Sequence, residues 1–290
     1  MLFGYSWGYS ECSYARGVVV KKKKNNSLIY VAIAVLSILL VFGIVILVFD
    51  PFSFFKKDNE VVENNNNKVT EVVDEKERAL VKELWDTYSV KSNDYVGRIS
   101  FESGLIDLPF VQGKDNDVYY RTDWETMKYD EEGSIFLDSS NTLNDQNLII
   151  IGHYVYASYD ASGTHKFTPL AKLVDKYNYE ANKYVKLYFK DEVRRYEGAY
   201  VYYCELLEDE YEGEKFSYTE DGFEFYYPNY SEEQFNKYID TVKKNAFYDT
   251  GVSIDYNDKL LTLQTCVENH NELREVVLLK EVSRTSYNYS

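Results

Sequence analysis

A histidine and a cysteine each close an apolar run of the sequence. His153 follows residues 148–151 and Gly152, and Cys266 follows residues 260–265. Runs of this length and composition predict buried β-strands, so we expect both side chains at the rim of a sheet. A thiolate is a nucleophile, and an imidazole can take up and return a proton during acyl transfer. The two residues therefore indicate cysteine-dependent acyl-transfer chemistry.

Arg274 is the third candidate, because it opens the next apolar run, residues 274–279, after a short polar loop. If the runs on either side of this loop pair as antiparallel strands, Cys266 and Arg274 lie opposite each other with Cβ atoms about 5 Å apart. A guanidinium favours a nearby thiolate and can donate hydrogen bonds to the oxyanion of a tetrahedral intermediate. Side-chain alternation puts Thr262 and Gln264 on the strand face that carries Cys266.

Each candidate also has an ordinary structural interpretation, which the residues alone leave open. A cysteine at a strand end is often a small buried hydrophobe, and a histidine or arginine there is often structural or solvated. Cys266 and His270 have a spacing that two metal ligands can use, but two ligands do not make a structural zinc site. We interpret His165, which follows a short polar stretch, as a loop residue.

Short apolar runs separated by polar segments predict that the domain carrying these residues is mainly β. Eight strands of this kind predict a closed or nearly closed barrel. The predicted strands cover residues 95–99, 118–121, 134–137, 148–151, 185–189, 194–204, 260–265 and 274–279.

Three segments have helical periodicity. Residues 70–88 predict a helix that begins at Thr70 as its N-cap and packs on the barrel. Residues 167–177 predict a second helix. Residues 231–245 predict a third, since they open with the capping pattern Ser-Glu-Glu-Gln. The pattern predicts no conformation for residues 205–230.

Residues 28–49 form an apolar stretch of 22 residues without a charge, which is long enough to cross a bilayer as a helix. Four lysines at positions 21–24 precede it, so the positive-inside rule puts residues 1–27 in the cytoplasm and the rest outside. We favour an uncleaved signal anchor over a signal peptide, because no A-x-A-like site follows. We interpret residues 50–69 as a polar stalk and residues 70–290 as an extracellular catalytic domain.

The charge and the cysteine content exclude two other classes. The chain has 290 residues and a net charge of −16, of which the first 27 residues contribute +4 and the remainder −20. So acidic a domain argues against nucleic acid as a partner. The three cysteines, Cys12, Cys204 and Cys266, allow at most one disulfide beyond the apolar stretch, so the domain is not a disulfide scaffold.

The candidate residues lie in segments that resemble one family. Residues 262–266, Thr-Leu-Gln-Thr-Cys, resemble the T-L-x-T-C signature of the sortases, and residues 274–277 resemble the arginine-bearing strand that follows it. Residues 147–153 resemble the segment with the catalytic histidine. Residues 108–112 and 133–138, together with the helix predicted before the cysteine strand, are similar to features of class B sortases. The resemblance extends over about residues 75–282.

The resemblance implies an eight-stranded sortase-type barrel, with an N-terminal helix and a helix before the cysteine-bearing strand. It implies that Cys266 attacks a sorting signal near the C-terminus of a secreted protein, with cleavage after Thr. His153 would be the general acid and base, and Arg274 would stabilise the oxyanion or the substrate. We further expect Gln264 and Thr265 to contact the substrate, and we expect no metal or cofactor.

The implied acceptor is an amine of peptidoglycan or the lysine of a pilin. The implied location is the membrane of a Gram-positive type of bacterium, with residues 28–49 as the single membrane-spanning segment and the catalytic domain outside the cell.

Two other functions compete with this hypothesis. In papain-like peptidases and cell-wall amidases the cysteine precedes the histidine, whereas His153 precedes Cys266 here. A non-catalytic alternative is a membrane-anchored surface adhesin or other binding ectodomain. A wall-anchored adhesin would be expected to end in its own sorting signal and apolar tail, whereas the last residues of this sequence are Arg-Thr-Ser-Tyr-Asn-Tyr-Ser.

Overall fold

The structure is a computed structural model, and it describes residues 74–205, 217–218, 223–224 and 227–289. These residues belong to one of two units of the chain, Glu71–Ser290. The predicted cytoplasmic segment, signal anchor and stalk lie outside the described residues. Among the helices that are described, none has the length and apolar character needed to cross a bilayer.

Eight strands close into a β-barrel, which confirms the predicted fold class. In chain order, the barrel strands are β1 (Tyr95–Phe101), β2 (Asp107–Val111), β3 (Phe136–Leu137), β4 (Asn147–Ile151), β5 (Tyr184–Tyr188), β6 (Glu192–Glu205), β9 (Leu260–Val267) and β10 (His270–Ser286). A separate short hairpin pairs β7 (Ser217–Tyr218) with β8 (Phe223–Glu224). Around the barrel the strands follow the order β1-β2-β3-β4-β9-β10-β6-β5.

One predicted strand was wrong, and one observed strand was not predicted. Residues 118–121 form a turn, and the barrel strand in this part of the chain is β2. The apolar character of the turn comes from Tyr119, which is fully buried and donates a hydrogen bond to Asp94 without joining a strand ladder. The β2 strand contains Pro109, a residue that argues against a strand when only the sequence is available.

Four helices complete the described fold. They are α1 (Glu75–Tyr88), a 3₁₀ helix (Thr168–Val174), α2 (Lys176–Asn182) and α3 (Glu232–Asn245). The α1 helix packs on the barrel as predicted, with Val81 against Val193 and Tyr287.

The helix ends differ in part from the predictions. Asp74 caps α1, because its side chain accepts from two backbone N–H groups of the first turn, so the prediction of Thr70 as the cap was wrong. The predicted helix at residues 167–177 divides into two pieces at Asp175, which caps α2. At α3 the capping box between Ser231 and Gln234 is present as the sequence predicted.

The two faces of β9 and β10 are both buried, each in its own apolar layer. Leu261 and Val277 point into the barrel, while Leu260 and Leu278 point outward and pack beneath α3. Val242 of α3 belongs to the same outer layer. Since successive side chains of a strand alternate, the residues that follow these along β9 and β10 are also sorted into an inner and an outer set.

Gly152 connects β4 to His153, and core side chains occupy the space that a Cβ atom of this residue would need. A Cβ atom there would lie 2.4 Å from Ile135 Cδ1 and 2.8 Å from the Phe167 ring, and both of these residues are buried. We predict that Gly152→Ala lowers the free energy of unfolding by about 1–3 kcal/mol through overpacking. Urea unfolding of the two proteins measures this difference.

Gly163→Ala is the matched control. Gly163 has a φ of +62° and no atom within 4 Å of the added Cβ, so the expected cost is only the backbone strain, about 1 kcal/mol. Equal losses in the two variants would contradict the role of packing at Gly152.

Candidate active site

The β9 strand carries Cys266 and has β4 on one side and β10 on the other. It pairs with β4 in parallel, and Ile151 at the end of β4 is opposite Gln264. The Gly152 N–H extends this ladder by donating to the Gln264 carbonyl at 3.1 Å. Two residues further along both strands, His153 and Cys266 therefore come to the same edge of the sheet.

On its other side, β9 pairs with β10 in antiparallel fashion, and Arg274 is directly opposite Cys266. This is the pairing that the sequence predicted. Cys266 lies on the outer side of β9 with Gln264, and Arg274 lies on the outer side of β10 with Val276. Three neighbouring strands thus present an imidazole, a thiol and a guanidinium at one edge.

The three side chains line one cavity of about 330 Å³. Cys266 is half-buried, so its sulfur can be reached from the cavity, whereas His153 and Arg274 are 9% and 7% exposed. The other lining residues are Tyr120, Arg121, Glu131, Glu132, Tyr154, Val155, Tyr156 and Tyr159.

A backbone carbonyl fixes the tautomer of His153. The Nε2 atom lies 2.6 Å from the Tyr120 carbonyl oxygen, which can only accept a hydrogen bond. Nε2 of the neutral ring therefore carries the hydrogen, and Nδ1 holds the lone pair that can take a proton. The Tyr120 ring packs on the imidazole with a centroid distance of 4.3 Å, which holds the ring in this orientation.

Burial lowers the pKa of His153 to about 4. The Tyr120 carbonyl opposes this shift, since it favours the protonated ring, while the nearby positive charges of Arg121, Arg274 and Lys166 act in the same direction as burial. At neutral pH the imidazole is therefore neutral, which is the form that can accept a proton from a thiol.

The segment that follows His153 is held in place by Asp160. Its carboxylate accepts hydrogen bonds from the Ser162 hydroxyl and from the backbone N–H groups of Ser162, Thr164 and His165, and these bonds keep the pKa of Asp160 far below its usual range. The tyrosines at positions 154, 156 and 159, which precede Asp160 in this segment, line the cavity.

A hydrogen bond also connects the two sides of the cavity. The Tyr154 hydroxyl, next to His153, donates to Glu268 Oε2 at 3.0 Å, and Glu268 lies two residues beyond Cys266. The segment that carries the histidine is therefore tied to the turn that follows the cysteine strand.

The structure places the remaining predicted residues as follows. Gln264 and Thr265 are each 1% exposed and line a small space beside the cavity. His270 begins β10, and His165 lies in a loop as predicted, where its Nδ1 contacts Glu132 at 3.1 Å. Cys204, buried on β6, is the strand partner of Arg274 on the far side of β10.

Residues 120–132 contribute to the site in a way that was not predicted from the sequence. Tyr120 contributes a carbonyl group, and a backbone acceptor has no signal in the sequence. Arg121 and Glu132 reach the cavity from a segment that lacks the strand predicted for it. The aromatic residues at positions 154, 156 and 159 were visible as a run after His153, but no spacing rule linked them to a cavity.

Known proteins resemble the chain in sequence and in structure, although it matches no protein-family model. Sortase B of Listeria monocytogenes is 29% identical over 235 residues, which cover 74% of this chain and 84% of that protein. Sortase B of Staphylococcus aureus is 23% identical over 215 residues, or 73% of this chain and 79% of that protein. The X-ray structure of Clostridium perfringens Sortase B has a TM-score of 0.56 and 28% identity, covering 68% of this chain and 99% of that one.

The closed barrel, the arrangement of His153, Cys266 and Arg274, and these similarities identify the chain as a cysteine transpeptidase of the sortase type. The sequence and structural relatives are class B sortases, and they support the assignment of the chain to that class. A binding ectodomain without catalysis, which was the alternative, does not fit these relatives.

The low pKa of His153 predicts how stability depends on pH. Between pH 6.5 and about 4 the unfolded chain binds a proton that the folded chain does not, so stability falls as the pH falls through this window. Glutamine does not titrate and can still donate to the Tyr120 carbonyl. We predict that His153→Gln removes about 2–3 kcal/mol of the acid-induced loss, measured by urea unfolding at pH 7 and pH 4.5.

His165→Gln is the matched control. Its hydrogen bond with Glu132 raises the pKa of His165, so its stabilising contribution is present in acid and is lost as the pH rises. This variant should not reduce the acid-induced loss. An unchanged acid-induced loss in His153→Gln would show that the buried imidazole is not its source.

Proposed function

We propose that Cys266, His153 and Arg274 are the catalytic residues of this transpeptidase, and that the reaction joins a secreted protein to an amine at the cell surface. The observation that carries the proposal is the meeting of the three side chains in one cavity at the edge of β4, β9 and β10. The half-buried thiol is the nucleophile, because a thiolate attacks acyl carbon readily, while the neutral imidazole beside it can act as the base.

In the first step, the Cys266 sulfur attacks the carbonyl carbon of the scissile peptide bond while His153 takes the thiol proton. The oxyanion of the tetrahedral intermediate accepts hydrogen bonds from the Arg274 guanidinium. As the intermediate collapses, the C–N bond breaks and His153 gives its proton to the leaving amine. The product of this step is a thioester on Cys266.

In the second step, an acceptor amine attacks the thioester carbon and gives a proton to His153. The C–S bond breaks, and the sulfur of Cys266 recovers the proton from the imidazole, so the enzyme returns to its starting state. Neutral His153 suits this role, because the imidazole must act as a base toward the thiol and the incoming amine and as an acid in between.

The proposed donor is a secreted protein with a C-terminal sorting signal that is cleaved after Thr. The proposed acceptor is an amine of peptidoglycan or the lysine of a pilin. Gln264 and Thr265 are proposed to contact the signal, supported by their position in the narrow space next to Cys266. The Thr265 hydroxyl faces the barrel interior, so the proposed contact of Thr265 is made by its backbone. We place the enzyme at the outer surface of the membrane, anchored through residues 28–49, whose apolar run supports a single span.

Intact mass spectrometry of the full chain with peptides of the pattern X-Pro-X-Thr-X tests the proposal. We predict an acyl adduct that ends at Thr, disappears in Cys266→Ala and transfers to an added amine. His153→Ala should lose most of the turnover. Arg274→Lys should lower kcat by about 100–1000-fold, because an ammonium keeps the charge but not the planar donor pair.

Cys204→Ala is the matched control, since it removes a buried thiol on β6, the strand on the other side of β10 from Cys266, and should keep the adduct. An adduct that survives Cys266→Ala would rule out the proposed nucleophile. A panel that gives no adduct, while Cys266 still reacts with a small electrophile, would rule out the proposed signal.

A further inference from the structure

A carboxylic acid lies inside the barrel immediately behind the catalytic pair. Glu275 follows Arg274 on β10, so its side chain points to the opposite, inner face of the strand. It is 1% exposed, and its register partners are Thr265 on β9 and Tyr203 on β6. Nothing in the reaction described above uses this group.

Two polar atoms of this inner pair lack hydrogen-bond partners. Glu275 Oε1 and Thr265 Oγ1 are buried and make no hydrogen bond. In the described part of the chain, these two are the buried side-chain nitrogen or oxygen atoms without a hydrogen-bond partner. The two residues are directly opposite each other on β10 and β9. The Cβ atoms of such a pair lie about 5 Å apart, so the glutamic acid side chain can reach the threonine hydroxyl. Buried polar groups are rarely left without partners, so this pair requires an explanation.

Among the residues that the structure describes, the surroundings of Glu275 supply no positive charge to balance a carboxylate. Its titratable neighbours are the phenols of Tyr154, Tyr203 and Tyr248, and burial raises the pKa of each, so they stay neutral near pH 8. Lys172 of the adjacent 3₁₀ helix is exposed to solvent. The same burial raises the pKa of Glu275 to about 8.

The described residues form no ion pair with Glu275. The cations nearest in sequence are Arg274, which points to the outer face, and Lys280, which pairs with Asp258. An ionised Glu275 would therefore be an uncompensated charge inside a barrel, and such a charge destabilises the folded state strongly.

We propose that Glu275 is a positioning residue. The carboxyl group and the Thr265 hydroxyl are opposed but not bonded in this structure, and a rotation of the protonated carboxyl group bonds β10 to Thr265 of β9 and so holds Cys266 opposite Arg274. A protonated carboxyl group is a donor, and the Thr265 hydroxyl can accept from it. One proton thus satisfies both inner atoms and joins the two strands one residue away from the catalytic pair. Loss of that proton removes the bond and leaves a charge in the barrel.

The proposal predicts a dependence of stability on pH with a definite sign. Between pH 4.5 and about 8 the folded chain holds a proton that the unfolded chain has lost, so Glu275 makes stability fall as the pH rises through this window. Above about pH 8 the folded chain also loses the proton, and the arrangement of Cys266 and Arg274 is disturbed. Catalysis should therefore decline there for a reason other than the titration of the thiol.

Glu275→Gln in the full chain is the test, since the amide is neutral, similar in shape and able to donate to Thr265. Urea unfolding at pH 5, 6, 7 and 8 should show a ratio of folding constants, variant over wild type, that grows by up to about tenfold per pH unit. The kcat/KM of amine transfer at pH 6.5 should stay within about threefold of wild type. The alkaline decline near pH 8 should move upward by one pH unit or more.

Glu281→Gln is the matched control, because Glu281 lies on β10, away from the cavity, in a pair with Arg284. It should leave the alkaline decline of transfer unchanged. If Glu275→Gln does not fold, Glu275→Met replaces it and should likewise remove the pH dependence of unfolding.

The same pH dependence in wild type and in the Glu275 variant would overturn the proposal, as would a loss of transfer that is equal at every pH. The activity arm rests on the proposed catalytic role of Cys266, which Cys266→Ala tests separately. The unfolding arm needs no activity, so a failure of the proposed function and a failure of the Glu275 proposal give different results.

Discussion

The hydrogen-bonded ladders on the two sides of β9 are the constraint on which the site depends. One ladder is parallel and brings the end of β4 to the level of Cys266, and the other is antiparallel and brings the start of β10 to the same level. Register in a sheet is strongly specified when both faces are buried, since a slip of one residue would move every side chain to the wrong face. The apolar layers inside the barrel and beneath α3 therefore fix the relative positions of His153, Cys266 and Arg274.

Burial on both faces explains why the strands that lead to the proposed catalytic residues His153 and Cys266 are mainly apolar. A sheet buried on both faces needs an apolar residue at nearly every position, and β4 and β9 meet this requirement up to the last residues before the cavity. The buried exceptions away from the cavity are Thr262 and Asn147, and the Thr262 hydroxyl donates to Asn147 Oδ1 at 2.9 Å. The other buried polar residues of β9 lie where the strand reaches the barrel edge. There the side chains divide by strand face, with Cys266 and Arg274 on the outer side and Thr265 and Glu275 on the inner side.

Much of this could be predicted from the sequence, because strands buried on both faces leave a strong apolar signal. Seven barrel strands, the helix opened by Ser231 and the facing of Cys266 and Arg274 were predicted from local patterns. Other features depend on tertiary contacts. The turn at residues 118–121 was predicted as a strand because it contains an apolar residue, Tyr119, that is buried without belonging to a strand. The β2 strand was not predicted because it contains Pro109, which its pairing with β1 tolerates. The Tyr120 carbonyl that orients His153 belongs to the backbone, so no residue type reveals it.

His153 and Glu275, which lie near the paired residues Cys266 and Arg274, are both neutral at pH 7 for the same physical reason, although they face opposite sides of the sheet. Burial lowers the pKa of His153 and raises that of Glu275, so desolvation is the largest cause that keeps the base deprotonated and the acid protonated. Their effects on stability have opposite signs, since ionisation of the first destabilises the fold in acid and ionisation of the second destabilises it in alkali. Between the pKa of His153 and the pKa of Glu275, neither of these two buried groups near Cys266 carries a charge. The proposed catalytic base, which has to be neutral, thus lies at a barrel edge that is itself most stable when its buried groups carry no charge.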